Sequence, residues 1–286
     1  MRIAARGLRL LILAAFAVFF AVPVLWLILA PTKADGALVT SSPLSFGSFH
    51  QIALAWDHLD AFSDHIYRAW IGNSLLYALS ATAIVLATAI PAGYGLALGK
   101  FPGRRVVLTL TLVVMIMPAA ALVLPIFLEL NSLHLIGSVL SVILPFSFFP
   151  FGVYLTYIYF STAVSRDLLN AARIDGAGEL RVFTNIAMPL ATPVIALVGF
   201  FSFVGNWNNY FLPFLVVGGT KIPVQVGLAN LLSNVPAFNP TTTSSIVIQL
   251  PTLALATLLS VAPILIIFLF AQRFLVEGMT AGGTKE

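Results

Sequence analysis

Long apolar runs, separated by short polar segments, dominate the pattern of residues along this chain. A helix needs about 20 apolar residues in succession to cross the hydrocarbon core of a bilayer. Six runs reach that length and predict six membrane-spanning helices, with ends placed to within several residues. The predicted spans are Leu10–Pro31, Ile71–Gly99, Val106–Leu128, Ser138–Phe160, Leu190–Val217 and Val247–Gln272. The first is longer than a signal-peptide core and no clear cleavage site follows it, so we expect it to be retained.

The composition indicates a protein whose solvent is the membrane rather than water. Of its 286 residues, 60% are hydrophobic and 8% are charged, and the mean hydropathy is +1.03. Soluble domains carry about a quarter charged residues, so this chain has too few polar groups to cover a surface in water. We expect a single transmembrane domain over residues 1–286. The chain has no cysteine, which excludes disulfide bonds, thiolate metal sites and a cysteine nucleophile.

The distribution of lysine and arginine gives the orientation of the predicted spans. Cytoplasmic loops carry an excess of these residues, and most of the 14 lie on the side of the N-terminus. The acidic residues divide evenly between the two sides, so the bias lies in the cations. Both termini are therefore predicted to be cytoplasmic. The cations on that side are Arg2, Arg6, Arg9, Lys100, Arg104, Arg105, Arg166, Arg173, Arg181, Arg273 and Lys285, against Lys33, Arg68 and Lys221 on the other.

The predicted spans contain no Asp, Glu, Lys, Arg or His. Proton-coupled pumps and voltage sensors need such residues within the membrane. An intramembrane enzyme needs a nucleophile with a base, or a set of metal ligands, and the spans offer neither. The chain also lacks a Gly-x-x-x-x-Gly-Lys-Ser/Thr phosphate-binding loop. Sodium coupling through backbone carbonyls stays open, but we expect the energy for transport to come from another chain.

The segment between the fourth and fifth spans, residues 161–189, has the pattern of two short helices joined by a turn. Asp167 is expected to cap the first helix, which runs to Ile174. Asp175 and Gly176 then form the turn, because glycine tolerates a positive φ.

The second helix of this loop is predicted over Glu179–Ala187, with Leu180, Phe183 and Ala187 on one face. Pro189 marks the point where the chain enters the fifth span. Two ordered helices across a glycine turn would make a knob suited to a groove in a partner protein. An ordinary helical hairpin with no partner is the alternative, and the residues alone leave both open.

Eight residues of this loop, Asn170–Ala177, resemble the EAA loop of binding-protein-dependent ABC importer permeases. The similarity is to the sugar-uptake branch, the relatives of the second maltose permease subunit. Other landmarks occur in the order of that branch and extend over nearly the whole chain. They are Asn73–Leu75, Ala92–Ala97, Phe101–Arg105, Pro118 and Pro125 as interruptions of the third span, Ile186, Pro189, Trp207–Asn208 and Glu277–Gly283.

The resemblance implies an all-α transmembrane fold, the six-helix ABC importer permease fold with a cytoplasmic coupling loop. It implies a transport subunit that is not an enzyme and holds no cofactor, with ATP and Mg²⁺ bound by separate ATPase subunits. The implied partners are a second, different permease, two ATP-binding cassette subunits, an extracytoplasmic solute-binding protein and the bacterial inner membrane, with no nucleic acid. The implied cargo is a carbohydrate. A glycerol phosphoester, an amino sugar and a stand-alone ion-coupled carrier remain as alternatives.

The resemblance also assigns ATPase contact to residues of the loop. One of them departs from the family pattern, because Asn170 stands where the family has a glutamate. The acidic function is then expected from Asp167 or Glu179, or is dispensable. The assigned residues are Asp167, Asn170, Ala171, Ala172, Asp175, Gly176, Ala177, Glu179, Phe183 and Pro189.

Polar side chains in the fifth span are the candidates for a substrate pathway. Ser202, Asn206, Asn209 and Tyr210 follow helical spacing along one face, with Trp207 beside them. Amides are costly in hydrocarbon, so this face is expected to line a wet cavity or to bind the partner permease. Amides beside aromatic rings suit neutral sugars, whose hydroxyls need partners and whose C–H faces stack on rings.

Two other features are interpreted structurally. Gly95 and Gly99 are four residues apart, a spacing typical of closely packed helices. Arg104 and Arg105 are expected to fix the topology and to contact lipid headgroups. No metal site is expected.

Overall fold

The structure is a computed structural model that describes residues 2–240 and 247–280. Its regular elements in those ranges are helices, with no strand. The first eight are α1 (Arg2–Leu29), α2 (Asp35–Thr40), α3 (Phe49–Ala61), α4 (Ile66–Leu98), α5 (Arg104–Ile116), α6 (Ala119–Ser132), α7 (Leu140–Phe146) and α8 (Pro150–Thr162). They are followed by α9 (Arg166–Ile174), α10 (Glu179–Val182), a π-helical turn (Phe183–Ala187), α11 (Met188–Leu190), α12 (Thr192–Trp207), α13 (Phe211–Val216), α14 (Val224–Ser233) and α15 (Leu250–Thr280). Residues 281–283 of the C-terminal landmark and Lys285 lie outside the described ranges.

Several helices are long and apolar enough to cross a membrane. Among the described residues there are four such segments, or up to six if each of two bent helix pairs is one span. The bent pairs are α5 with α6, at 106°, and Glu179–Leu190 with α12, at 77°. The four single segments are Arg6–Thr32, Ile66–Leu98, Leu140–Thr162 and Leu250–Phe274.

The sharp bend between α5 and α6 has a cause in the sequence. Pro118 is the N-cap of α6, and Met117 before it is extended, with φ −68° and ψ 128°. Proline pushes the residue before it out of the helical region and has no N–H to continue the helical ladder. Pro125 lies inside α6 and does not end it. Only Pro118 therefore interrupts the span, and the expectation for Pro125 is wrong.

The chain divides into two compact units, one within residues 1–71 and 226–262, the other within residues 72–225 and 263–286. In the first unit the side chain of Trp70 is buried, and its ring lies against the α-carbon of Gly227 in α14. A side chain at position 227 would overlap that ring. Tyr67 donates a hydrogen bond to the carbonyl of Ala256 (2.8 Å). These contacts fix the start of α4 to α14 and to the first half of α15.

A charged turn joins α3 to α4 in the same unit. Ser63, Asp64 and His65 all have a positive φ, a backbone conformation that residues other than glycine rarely adopt. The carboxylate of Asp60 accepts hydrogen bonds from Arg68 (2.6 and 2.8 Å) and lies 2.8 Å from Nδ1 of His65. The Arg68 hydrogen bond lowers the pKa of Asp60 below its ordinary value. The ion pair therefore holds a turn whose backbone conformation is unfavourable by itself.

The core of the second unit joins α4, α8 and α12 to the loop between α8 and α12. Val85, Phe160 and Val198 are buried there together with Leu169 and Val182 of the loop. The loop is thus part of the core rather than an appendage to it.

Close approach of helices in this unit occurs at two glycines. A Cβ added to Gly93 in α4 would lie 2.5 Å from the Cβ of Thr156 in α8. One added to Gly152 in α8 would lie 2.9 Å from Cγ1 of Val198 in α12 and 2.6 Å from Cδ1 of Phe149, which directly precedes α8. At Gly95 a Cβ would meet no atom within 4 Å, and at Gly99 it would meet the preceding turn of its own chain. The expectation that helices of this chain pack closely at Gly95 and Gly99 is therefore wrong, and the close contacts lie at Gly93 and Gly152.

The landmark at the start of α4 has a structural role in this chain. The amide of Asn73 donates a hydrogen bond to the carbonyl of Thr220 (2.7 Å). The hydroxyl of Ser74 accepts one from the N–H of Val224 (2.8 Å). Both bonds satisfy backbone groups of the segment that follows α13, so these polar side chains position that segment.

Candidate functional site

The first half of the loop is a helix closed by a glycine turn. Gly176 has φ +84°, the left-handed conformation expected at this position. The N–H of Ala177 bonds to the carbonyl of Ala172 (3.0 Å) and that of Gly176 to the carbonyl of Arg173 (3.1 Å), which together form a Schellman motif. Asp167 does not cap α9, because Ser165 occupies the N-cap. The carboxylate lies instead in the first turn, where the helix dipole favours it.

The second half of the loop is less regular than expected. The α-helix ends at Val182 and continues as a π-helical turn, in which the N–H of Met188 bonds to the carbonyl of Phe183. Val182 and Ala187 are buried, whereas Leu180 is 77% exposed. The predicted shared face of Leu180 and Ala187 is therefore wrong. The change of helical period rotates one part of the segment relative to the other.

An ion pair bridges the two halves of the loop across the glycine turn. Nε and Nη2 of Arg173 donate to the Glu179 carboxylate (2.6 and 3.1 Å), and Nη1 donates to Oδ1 of Asn170 (2.8 Å). The hydrogen bond to Arg173 lowers the pKa of Glu179, and the same bond raises the pKa of Arg173. Since the folded-state pKa of Glu179 is depressed, the stability that the pair adds is fully present above the ordinary pKa of 4.5 and is lost only as the pH falls through the lower folded-state pKa.

The loop has an inner and an outer face. Leu169 and Val182 are buried in the core, and the ring of Tyr94 in α4 packs on Phe183 (4.9 Å between centroids). On the outer face Ile174 is 86% exposed, and Leu168 and Leu180 are exposed as well. Of the residues assigned to ATPase contact, Ala172, Ala177 and Phe183 are half-buried; exposed are Asp167, Asn170, Ala171, Asp175, Gly176, Glu179 and Pro189.

Exchanging the two charges of the Arg173–Glu179 pair is expected to restore the transport activity that reversing either charge alone lowers. Arg173→Glu or Glu179→Arg alone places like charges side by side, whereas the double variant rebuilds an opposite pair. The pair is partly exposed, and such pairs contribute about 0–1 kcal/mol, which corresponds to a loss of up to about fivefold in transport. Uptake and the amount of protein in the membrane are the measurements. Equal activity in the wild type and both single variants would contradict a positioning role.

The polar residues of the fifth span do not share one helical face. The helix α12 ends at Trp207, and the N–H of Asn208 closes its last turn on the carbonyl of Val204 (3.0 Å). Asn209 and Tyr210 follow after this break, so the expected common face with Ser202 and Asn206 is wrong. Consecutive asparagines favour such a break, because their side chains compete for the backbone hydrogen bonds.

Within α12 the polar side chains bond to their own helix or to α4. The amide of Asn206 donates to the carbonyl of Ser202 (2.8 Å), and the Ser202 hydroxyl lies 3.3 Å from that of Thr82. Trp207 is buried and its ring stacks on that of Phe203 (5.6 Å). The Asn206 bond lies within α12 and the Ser202–Thr82 contact joins α12 to α4, so both side chains have structural partners inside this chain.

Asn209 lies at a cavity of about 620 Å³. It is the polar residue of a lining that is otherwise apolar, and its Nδ2 is buried with no hydrogen-bond partner among the described residues. A buried amide nitrogen without a partner is unfavourable unless a ligand or water satisfies it. Tyr210 does not line the cavity and stacks on Phe214. The aromatic residues of the lining include Phe146, Phe148, Phe149, Phe151 and Phe211.

This aromatic wall is not among the features that the sequence predicts. Its signal was the run of four phenylalanines within residues 146–151, around Pro150. An apolar run of that kind is ambiguous between core, lipid-facing surface and cavity lining, so composition alone did not select it.

An all-helical, multi-pass chain with an ordered loop that is partly buried in its core has the properties of a transport permease. Residues 89–281 match the family described as binding-protein-dependent transport system inner membrane component. The chain belongs to this family and is a non-catalytic membrane subunit of binding-protein-dependent ABC importers.

Individual relatives agree with the family. The chain is 34% identical over 221 residues to the arabinooligosaccharides transport system permease protein AraQ of Bacillus subtilis, covering 77% of this chain and 74% of AraQ. It is 30% identical to the maltodextrin transport system permease protein MdxG of the same organism, over 78% of each chain. A chain of a bacterial ABC transporter that imports the acidic polysaccharide alginate has a TM-score of 0.81 at 20% identity, over 95% of this chain and 96% of that one. The expected fold class is confirmed.

Proposed function

We propose that this permease imports a carbohydrate delivered by an extracytoplasmic solute-binding protein. It pairs with a second, different permease, and two ATPase subunits that bind ATP and Mg²⁺ dock on the loop between α8 and α12. Both termini face the cytoplasm. Support for the cargo comes from relatives whose names specify arabinooligosaccharides, maltodextrin and diacetylchitobiose.

The observation that carries ATPase docking is the two-faced loop. Its inner side chains are fixed in the core with Phe160, and its outer side chains Ile174 and Leu180 are exposed and apolar. Exposed apolar groups on an ordered segment are typical of a protein interface. A segment held in this way moves together with α4, α8 and α12, so closure of the ATPases would alter the membrane helices. This is alternating access driven through a rigid element.

The cavity at Asn209 supports a neutral cargo. Phenyl rings offer faces for the C–H surfaces of a sugar, and the unpaired amide nitrogen offers a donor to a hydroxyl. No charged side chain lies among the described residues of the lining. A phosphorylated cargo would need a cation there or on the partner permease.

Purification in mild detergent from the native membrane, followed by mass spectrometry, tests this assignment. We expect a second permease and an ATPase in the same particle. Carbohydrates are then screened, with the binding protein, for stimulation of ATP hydrolysis. A chain that purifies alone and moves solute in liposomes without ATP would overturn the proposal.

Replacing Asn209 with leucine is expected to raise the KM for the carbohydrate that the screen identifies. One hydrogen bond to a neutral group contributes about 0.5–1.5 kcal/mol, so the expected increase is about two- to tenfold. Asn208→Leu is the matched control, because the neighbouring amide is exposed and does not line the cavity. The same KM in both variants as in the wild type would remove Asn209 from the pathway.

A further inference from the structure

A second, open cavity lies where α4 passes into α5. It has a volume of about 730 Å³, and three of its lining residues are cations, Lys100, Arg104 and Arg105. The remaining wall is largely apolar and includes Phe101, Val106, Leu108 and Tyr157. Positive charge and apolar surface therefore face the same space.

These cations are not neutralised within the described part of the chain. No carboxylate lines the cavity, and the salt bridges of the structure use other residues. Arg104 donates one hydrogen bond, to the carbonyl of Ala97 (3.2 Å). No side-chain partner of Lys100 or Arg105 occurs among the described residues.

The start of α5 adds partial positive charge to the same cavity. Its N-cap is Gly103, with φ +84°, which has no side chain to cap the helix. The N–H groups of the first turn therefore lack a side-chain acceptor, and the positive end of the dipole of this 13-residue helix adds to the three cations.

We propose that this cavity binds the phosphate headgroup of an acidic phospholipid, with an acyl chain against Val106, Leu108 and Tyr157. A free phosphate would satisfy the cations but leave the apolar wall unused, whereas a phospholipid matches both. Basic pockets between helices on the cytoplasmic side bind anionic lipids. The inference rests on the cytoplasmic orientation of this end of α4 in the proposed function.

The position of this cavity next to the coupling loop indicates a role for the bound lipid. Gly99 and Lys100 line this cavity and also a neighbouring one of about 530 Å³, which Asn170 and Arg173 of the coupling loop line too. A headgroup bound at Lys100 would order the end of α4 on which the loop rests. Acidic lipid would thereby support the ATPase-binding geometry of the loop.

Lipid retention by the purified full chain tests this directly and needs neither ATP nor sugar. Phosphatidylglycerol and phosphatidylcholine are titrated separately and counted by native mass spectrometry. We expect one phosphatidylglycerol to be retained in preference to phosphatidylcholine, and Arg105→Gln to weaken it by about fivefold. Arg105→Lys, which keeps the charge, is expected to retain most of the binding.

Arg273→Gln is the matched control. It removes the same charge from an arginine predicted on the same membrane side but outside the cavity. An equal loss in both variants would mean diffuse attraction to acidic lipid and would overturn the site, as would equal retention of the two lipids. Displacement of the lipid by millimolar inorganic phosphate would reassign the cavity to free phosphate. Any of these results would leave the ATPase co-purification test unaffected.

Discussion

Replacing Gly176 with valine is expected to abolish most transport while leaving the protein in the membrane. The residue closes the Schellman motif of the loop with φ +84°, and an L-residue in that region costs about 1–2 kcal/mol. A β-branched residue is among the least suited to this conformation. A penalty of this size shifts the population of the native turn by about 5- to 30-fold. No atom lies within 4 Å of the added Cβ, so the penalty is one of backbone conformation rather than of packing.

The loop contains its own control for this experiment. Gly178, two residues further on, has φ −66° and ψ 158°, an extended conformation that valine adopts readily, and its added Cβ also meets nothing within 4 Å. Gly178→Val is therefore expected to transport normally. Uptake and the amount of ATPase that co-purifies are measured for both variants. Normal uptake in Gly176→Val would count against the loop as the coupling element, and equal failure of both would show that any side chain at the interface is harmful.

The features that the sequence predicts well are local. The turn at Gly176 follows from an Asp-Gly pair after a helix, and the bend at Pro118 follows from the chemistry of proline. Both are determined by the residue and its immediate neighbours. Membrane-spanning length is local in the same sense, because every backbone group in lipid must be satisfied within its own helix.

The features that the sequence does not predict depend on neighbours distant in the chain. Asn209 fits the period of α12, but the helix ends before it, and its surroundings come from α5, α6 and the phenylalanines near α8. Leu180 and Ala187 would share a face of a regular α-helix, but the π-helical turn that begins at Phe183 offsets one from the other. Asn170 lacks the negative charge of the family's glutamate. Only the structure shows that Arg173 donates hydrogen bonds both to Asn170 and to the carboxylate of Glu179.

The clearest example is the pair Gly93 and Gly95 in α4. They are two residues apart in one helix and have the same intrinsic propensities, so sequence alone does not separate them. Gly93→Ala would place a Cβ 2.5 Å from the Cβ of Thr156 and 2.8 Å from the backbone nitrogen of Tyr157. Because the second atom belongs to the backbone of α8, no side-chain rotation relieves the overlap and the two helices must separate. Overpacking of this kind costs about 1–3 kcal/mol.

The two alanine variants are therefore expected to change stability in opposite directions. Gly95→Ala meets no atom within 4 Å and exchanges glycine for the best helix former, a gain of up to about 1 kcal/mol. The melting temperature of the purified chain in detergent is expected to fall for Gly93→Ala and to stay level or rise for Gly95→Ala. It is measured by size-exclusion chromatography after heating. Equal shifts in the two variants would show that α4 and α8 do not touch at Gly93. The core beneath the coupling loop would then lack the close contact between α4 and α8 that is expected to transmit the movement of the loop.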